Sequence, residues 1–354
     1  MAAGTRPDSA PTQDRHEAET AAWKASVARY QHSAPWRSAW QIVNTLVPYA
    51  GLWYLMYLTL GISWWLTVPL AALAGAFLVR VFILFHDCTH GSFFKSRTAN
   101  DVLGMITGLL TFTPYHHWRR EHATHHATSG NLDRRGTGDL WTMTVREYLE
   151  ASRSKRFFYR LARNPFILFV VAPLFLLLVK NRIPKSDAGP LERRWVLGTD
   201  LALLGMALGL GAIFGFKAYL IIQFTALLVA GAAGFWLFYV QHQFEGGYWA
   251  HGQEWNYTAA ALQGSSFYKL PPVLQWFTGS IGYHHLHHLS SRIPNYHLEK
   301  CHEADPLFRN VPPITLLASL KSLSFRLWDE QRQRLVGFGH LRTLRRQQSK
   351  TSGC

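Results

Sequence analysis

Long apolar runs alternate with short polar and basic stretches along this 354-residue chain. The first run extends from about Ala39 to Ile62 and the second from about Trp64 to Phe85. Each has roughly the 20 residues that carry a helix across about 30 Å of hydrocarbon. Gly61 and Ser63 leave room for only a short, uncharged turn between them, so this pair predicts a helical hairpin. Trp53, Trp64 and Trp65 are suited to anchoring it at the interfaces. Arg80 falls near the end of the second run, where its stem is expected to snorkel toward headgroups. A second hairpin is predicted from about Trp195 to Phe216 and Ala218 to Val240, with Gly215 and Lys217 at its turn.

Two shorter runs complicate the count. Val102 to Tyr115 has 14 residues, which reach only about 21 Å as a helix. It also carries Thr107, Thr111, Thr113 and Pro114. Phe166 to Val179 is intensely apolar but equally short. Basic residues flank it on both sides, Arg153, Lys155, Arg156, Arg160 and Arg163 before and Lys180, Arg182, Lys185, Arg193 and Arg194 after. Positive charge marks cytoplasmic loops, so 166–179 is expected to dip into the membrane rather than cross it, and 102–115 is expected to do so for its short length and polar content. A true fifth span at 166–179 is the competing reading.

The expected fold is therefore an all-α integral membrane protein. It has four transmembrane helices in two hairpins, two short re-entrant or interfacial segments and a cytoplasmic helical cap. The domain reading is a polar N-terminal segment at 1–35, mobile or lying on the surface, a membrane domain at 36–330 and a basic tail at 331–354. Arg342, Arg345, Arg346 and Lys350 give that tail its charge, which suits solvent or a lipid surface.

Composition adds charge to this picture. The net charge is +15 and hydrophobic residues make up 48% of the chain. No basic stripe with interleaved aromatics is present, so a nucleic-acid partner is not expected. Cys88, Cys301 and Cys354 form neither a Cys-x-x-Cys pair nor a disulfide framework. Residues 1–35 lack the apolar core of a signal peptide.

The histidines change the picture most. They gather in three clusters, His86-Asp-Cys-Thr-His90, His122-Ala-Thr-His125-His126 and His284-His285-Leu286-His287-His288. Histidines three or four apart share one face of a helix, so their rings can converge. Imidazole suits iron, zinc, copper and nickel, and eight such ligands exceed the needs of one ion. Two metal ions are the economical reading. If the clusters share a site, all three must lie on one side of the membrane, and the dips at 102–115 and 166–179 allow this.

These clusters and their flanks resemble the membrane-bound fatty acid desaturases, which are non-haem di-iron enzymes. The stretches His122–Asp139, Gly264-Ser-Ser-Phe-Tyr-Lys-Leu-Pro271 and Gly282-Tyr-His-His-Leu-His-His-Leu-Ser290 are similar to bacterial acyl-lipid desaturases, those acting on phospholipids in Bacillus above all. The resemblance covers roughly residues 35–330. It implies two Fe ions held by His86, His90, His122, His125, His126, His284, His287 and His288. It also implies a ninth ligand at His242, in Tyr239-Val-Gln-His-Gln-Phe-Glu245. His285 lies about 100° round the helix from His284 and is expected to point away. His116, His117 and His251 have no place in the motif and are assigned interface or surface roles.

The implied activity uses O2 and two electrons to place a cis double bond in an acyl chain of membrane phospholipids. The chain carries no haem-attachment motif, Rossmann fingerprint or ferredoxin cysteine set, so electrons must come from a separate protein, which the resemblance implies is ferredoxin- or flavodoxin-like. The site is expected on the cytoplasmic face of the cell membrane. Asp87, Glu121, Asp139 and Glu245 are candidates to orient ligand imidazoles, and Cys88 is a candidate thiolate or a small buried residue. Arg119, Arg120, Arg134 and Arg135 are candidates for lipid phosphates or the electron donor. Two other functions compete: a di-iron hydroxylase of alkanes or carotenoids, and a transition-metal transporter or sensor. A transporter would place its ligands within the spans near the midplane.

Overall fold

The computed structural model describes residues 23–344. Helix α1 (Pro35–Leu60) and helix α2 (Trp64–His90) form the first hairpin. Ser63 caps α2 by accepting from the Trp65 backbone N–H, which starts the helix one turn beyond Leu60. Gly91 ends it in the left-handed region at φ 67°, a conformation that costs glycine little. That stop leaves His86 and His90 in the last turn of α2.

Helices α3 (Arg97–Leu110) and α4 (Tyr115–Thr128) follow, each 14 residues long. Short helices α5 (Val145–Glu150) and α6 (Arg153–Ala162) precede a bent apolar segment. That segment is a π-helical turn at Ile167–Val171 running into α7 (Ala172–Leu178). It lies 63° away from α6. The second hairpin is α8 (Pro190–Phe214) and α9 (Phe216–His242), joined through Gly215 alone. Helices α2, α8 and α9 are long and apolar enough to cross a membrane, and α6 with the bent segment passes the same test as one broken unit.

Helix α1 has the expected length but is not among those three. Its first turns carry a polar face. Ser38 donates to the Phe93 carbonyl at 2.7 Å, Gln41 to Asn295 at 2.8 Å, and Thr45 accepts from Arg80 at 3.1 Å. Arg80 itself corrects the expectation that it snorkels outward. It is 4% exposed, bonded to the Trp276 carbonyl and stacked over the Trp276 ring at 3.9 Å. The polar face of α1 turns inward to meet it.

Helices α2 and α9 pack along each other, with Gly75 facing Val229 so closely that a Cβ would lie 2.6 Å from that side chain. Leu197, Leu201, Leu204 and Leu208 of α8 are exposed, an apolar face of the kind that lipid covers.

After α9 come α10 (Tyr257–Leu262), strand β1 (Phe267–Lys269), α11 (Pro272–Phe277), α12 (His284–Leu289) and α13 (Asn295–Ala304). Strand β2 (Pro313–Thr315) pairs with β1 in parallel, and β3 (Leu327–Asp329) pairs antiparallel with β4 (Arg334–Val336). The fold is thus mostly helical rather than all-α. Three-residue strands are too short to print a period-two pattern, so sequence periodicity passes over them.

Two terminal expectations change. Trp23 and Val27 are buried against Leu286, Leu289 and Leu298, so residues 23–34 strap the third histidine cluster instead of lying free. The expected boundary at 330 falls in the β3–β4 turn, and Leu341 packs with Met143 and Leu327. Arg345, Arg346 and Lys350 lie outside the described residues.

Candidate metal centre

Among the described residues, nine histidines from four helices, α2, α4, α9 and α12, converge inside the molecule. His86, His90, His122, His126 and His287 form one group, and His125, His242, His284 and His288 form another. Within each group the ligating nitrogens all lie within 4.8 Å of one another.

The partition follows from helical geometry. A helix turns about 100° per residue, so residues four apart share a face and the one between them is turned aside. On α4, His122 and His126 face the first group while His125 faces the second. On α12 the roles are exchanged, with His284 and His288 facing the second group and His287 the first. One His-x-x-His-His spacing therefore serves both groups. The last turn of α2 supplies His86 and His90, and the last residue of α9 supplies His242.

The donor set fits metal ions. The Nε2 separations are 3.0 Å for His86–His122, 3.1 Å for His122–His126, 3.0 Å for His126–His287 and 3.0 Å for His242–His284. Nitrogens about 2.1 Å from one ion and at right angles to each other would be roughly 3.0 Å apart. His90 Nε2 and His288 Nε2 are buried without any hydrogen-bond partner, an expense that a coordinated ion would remove. Burial, with neighbouring imidazoles, pushes His122, His125, His126, His284, His287 and His288 well below the 6.5 usual for histidine. Neutral rings keep the lone pair that a metal requires.

Of the four carboxylates expected to orient imidazoles, one does. Asp87 Oδ1 lies 3.2 Å from His86 Nδ1, while its Oδ2 accepts from the Asn295 backbone N–H at 2.7 Å and side chain at 2.8 Å. Glu121 pairs with Lys185 at 2.5 Å, Glu245 with Lys321 at 2.5 Å, and Asp139 accepts from the Gly136 N–H. The carbonyl of Gly264 is 3.3 Å from His242 Nδ1 and plays the corresponding part there.

His285 points away, as expected, with Nε2 3.3 Å from His302 Nδ1. Burial pushes it down to about 3. His117 is not at a surface. It is buried with Nδ1 2.5 Å from Glu192, which ties α4 to the start of α8. His116 packs on Trp195, and His251 is exposed between Asp133 and Glu330. Cys88 is buried and belongs to neither group. Arg119, Arg120 and Arg135 are engaged by Asp101, Glu192 and Glu147, so they serve the fold first.

Two features escaped sequence reasoning. The ring of Trp118 stacks on His122 with centroids 4.1 Å apart. Its position four residues before His122, on the same helical face, was the available signal. Trp118 also closes an apolar cavity of about 110 Å³ walled by Leu78, Val79 and Phe82 of α2 and Gly231, Gly234 and Phe235 of α9. The cavity arises between helices distant in sequence, and no local pattern announces it.

The family model for fatty acid desaturases matches residues 63–313. A fatty acid desaturase of Bacillus subtilis is 50% identical over 312 residues, covering 88% of this chain and 89% of that protein. An endoplasmic-reticulum omega-3 fatty acid desaturase of Nicotiana tabacum is 29% identical, covering 76% and 72%. A ferredoxin-dependent sn-1 acyl-lipid omega-3 desaturase of Synechocystis is 30% identical, covering 68% of each chain.

Proposed function

The chain belongs to the fatty acid desaturase family of oxidoreductases, and on that premise we propose that it places a cis double bond in the acyl chains of membrane phospholipids, using O2 and two electrons at a di-iron centre. The observation that carries this reading is the division of nine buried or half-buried imidazoles into groups of five and four. One iron would be held by His86, His90, His122, His126 and His287, the other by His125, His242, His284 and His288. The irons supply what side chains lack, activation of O2 and removal of hydrogen from an unactivated C–H bond. Overall, a CH2–CH2 unit, O2, two electrons and two protons give a cis CH=CH unit and two waters.

The protein's own residues hold the site in shape. Asp87 accepts from His86 Nδ1–H and the Gly264 carbonyl from His242 Nδ1–H, which leaves Nε2 of both rings as the ligating atom. Trp118 fixes the His122 plane by stacking. The apolar cavity beside Trp118 would hold the acyl chain extended and free of water.

The acyl-lipid substrate is supported by relatives in Synechocystis and Nostoc whose names specify sn-1 acyl lipids and ferredoxin. A ferredoxin- or flavodoxin-like protein is the proposed donor here. Helices α2 and α9 both end at the histidines, so they run in the same direction. With α1 and α8 as their hairpin partners, four crossings return every ligand to one side. The basic segments at 153–163 and 180–194 favour the cytoplasmic face of the cell membrane for that side.

The test is expression in a bacterial host that lacks acyl desaturation, with mass spectrometry of the derivatised fatty acids. A new double bond in phospholipid chains is expected. A hydroxylated product, or no product from correctly inserted protein with a competent donor, would refute the reading.

A further inference from the structure

On the same side of the molecule as the basic segment 153–163 lies an open cleft of about 630 Å³ that the proposed chemistry does not use. Its lining includes Arg153, Arg156 and Arg160 of α6 and Arg342, together with Tyr148 and Phe338, and contains no carboxylate. Two of these arginines are held in place by neutral partners. Arg156 donates to the carbonyls of Leu149 at 2.5 Å and Ala151 at 2.9 Å. Arg160 donates to the Tyr148 hydroxyl at 2.6 Å and lies over the Phe338 ring at 4.3 Å. Their remaining N–H groups and charge have no anion within the lining. Four guanidinium groups gathered without a carboxylate repel one another, an arrangement that an anion relieves.

The surroundings identify the anion. On the same helix Phe157 and Phe158 are 62% and 65% exposed, and Leu161 is exposed beside them. Four residues beyond the end of α6 the intensely apolar segment of Phe166 to Val179 begins. Phe157 lines the cleft beside the arginines, and Phe158 turns away from it; a helix that exposes arginines and phenylalanines side by side lies along a membrane surface. The phosphate found at that depth belongs to a lipid. Past Arg342 the sequence adds Arg345, Arg346 and Lys350 and no acid, which favours a negatively charged headgroup further.

We infer that this cleft binds the headgroup phosphate of an anionic membrane phospholipid. The inference rests on the membrane placement given under the proposed function, but not on the reaction, so its readout is lipid binding rather than desaturation.

The full-length protein is reconstituted in phosphatidylcholine vesicles with and without phosphatidylglycerol, then re-extracted, and the retained lipid is quantified by mass spectrometry. The wild type is expected to retain phosphatidylglycerol preferentially, and the double variant Arg153→Gln/Arg342→Gln to lose roughly tenfold or more of that preference. Arg153→Lys/Arg342→Lys keeps the charge and is expected to hold most of it. Unchanged retention in the glutamine variant would overturn the inference, as would equal loss in the lysine variant. Displacement of the lipid by inorganic phosphate would assign the cleft to a free anion instead. Selective loss of affinity for an acidic electron-transfer protein, with lipid retention intact, would assign it to a protein partner. Either result overturns the lipid site.

Discussion

The Nε2 atoms of His125 and His242 lie 3.2 Å apart although 117 residues separate them in the chain. His242 belongs to no histidine cluster in the sequence and closes α9 as its final residue. Within the second group it is the only member that comes from outside α4 and α12. It therefore joins the second hairpin to α4 and α12, and without it three nitrogens remain.

His242→Ala is accordingly expected to lower bound iron and to cost more activity than the roughly 10–100-fold lost when an outer partner is removed. Iron content by elemental analysis and product yield in cells are the measurements, with membrane abundance as the control for folding. Wild-type iron and activity in this variant would remove His242 from the ligand set.

Asp87 makes a second prediction. Its Oδ1 faces His86 and its Oδ2 accepts two N–H groups from Asn295. An asparagine has nearly the same shape but must turn its NH2 toward one of these donors. Asp87→Asn should therefore lower iron affinity or activity by about 10–100-fold while α2 keeps its helical content. Iron titration of the purified variant decides it, and wild-type affinity would show that the carboxylate does not orient His86.

Much of this was legible from the chain. Gly61, Ser63 and Gly215 punctuate the hairpins, and the helical spacing of His122, His125 and His126 is enough to foresee convergence. How the nine rings divide was not legible, because His287 and His125 cross to the opposite group only once α12 is set against α4. Arg80 misled for the same reason. A lone arginine in an apolar run suggests a lipid-facing end until Thr45 and Trp276 are seen around it. Trp23 and Val27 fall in the polar N-terminal segment, where two apolar residues give no period that would announce their burial.

A pH-dependent strap holds the loops beside the second cluster. His251 bridges Asp133 at 2.7 Å and Glu330 at 3.3 Å. Hydrogen bonds to Asp133 and Glu330 raise His251 above 6.5, and bonds from Gly252 and His251 lower Asp133 below 3.8. The histidine's contribution is full below pH 6.5 and is lost as pH rises through its raised value. The aspartate's contribution is present above 3.8 and is lost as pH falls through its lowered value. Hydrogen exchange at residues 250–256 should thus quicken, after correction for intrinsic rate, on going from mildly acidic to alkaline buffer. His251→Gln should abolish that change, and an identical pH response in the variant would exclude the bridge as its cause.

The apolar cavity makes the last prediction, through a comparison of two glycines on α9. Gly231 and Gly234 both line it, yet they differ in what a side chain would meet. At Gly231 a Cβ would lie 2.9 Å from Pro173, so enlargement there pushes α7 from α9. At Gly234 nothing stands within 4 Å, so a larger side chain extends into the cavity without disturbing the packing. Gly234 is eight residues from His242, about 12 Å along the helix, a distance an acyl chain must traverse if the cavity holds it. Gly234→Leu should therefore leave thermal stability near wild type and reduce turnover of long acyl chains by roughly tenfold or more relative to short ones. Gly231→Leu should lower stability and reduce all chain lengths alike. Profiling the desaturated products by chain length separates the two, and an unchanged profile in Gly234→Leu would place the acyl chain elsewhere.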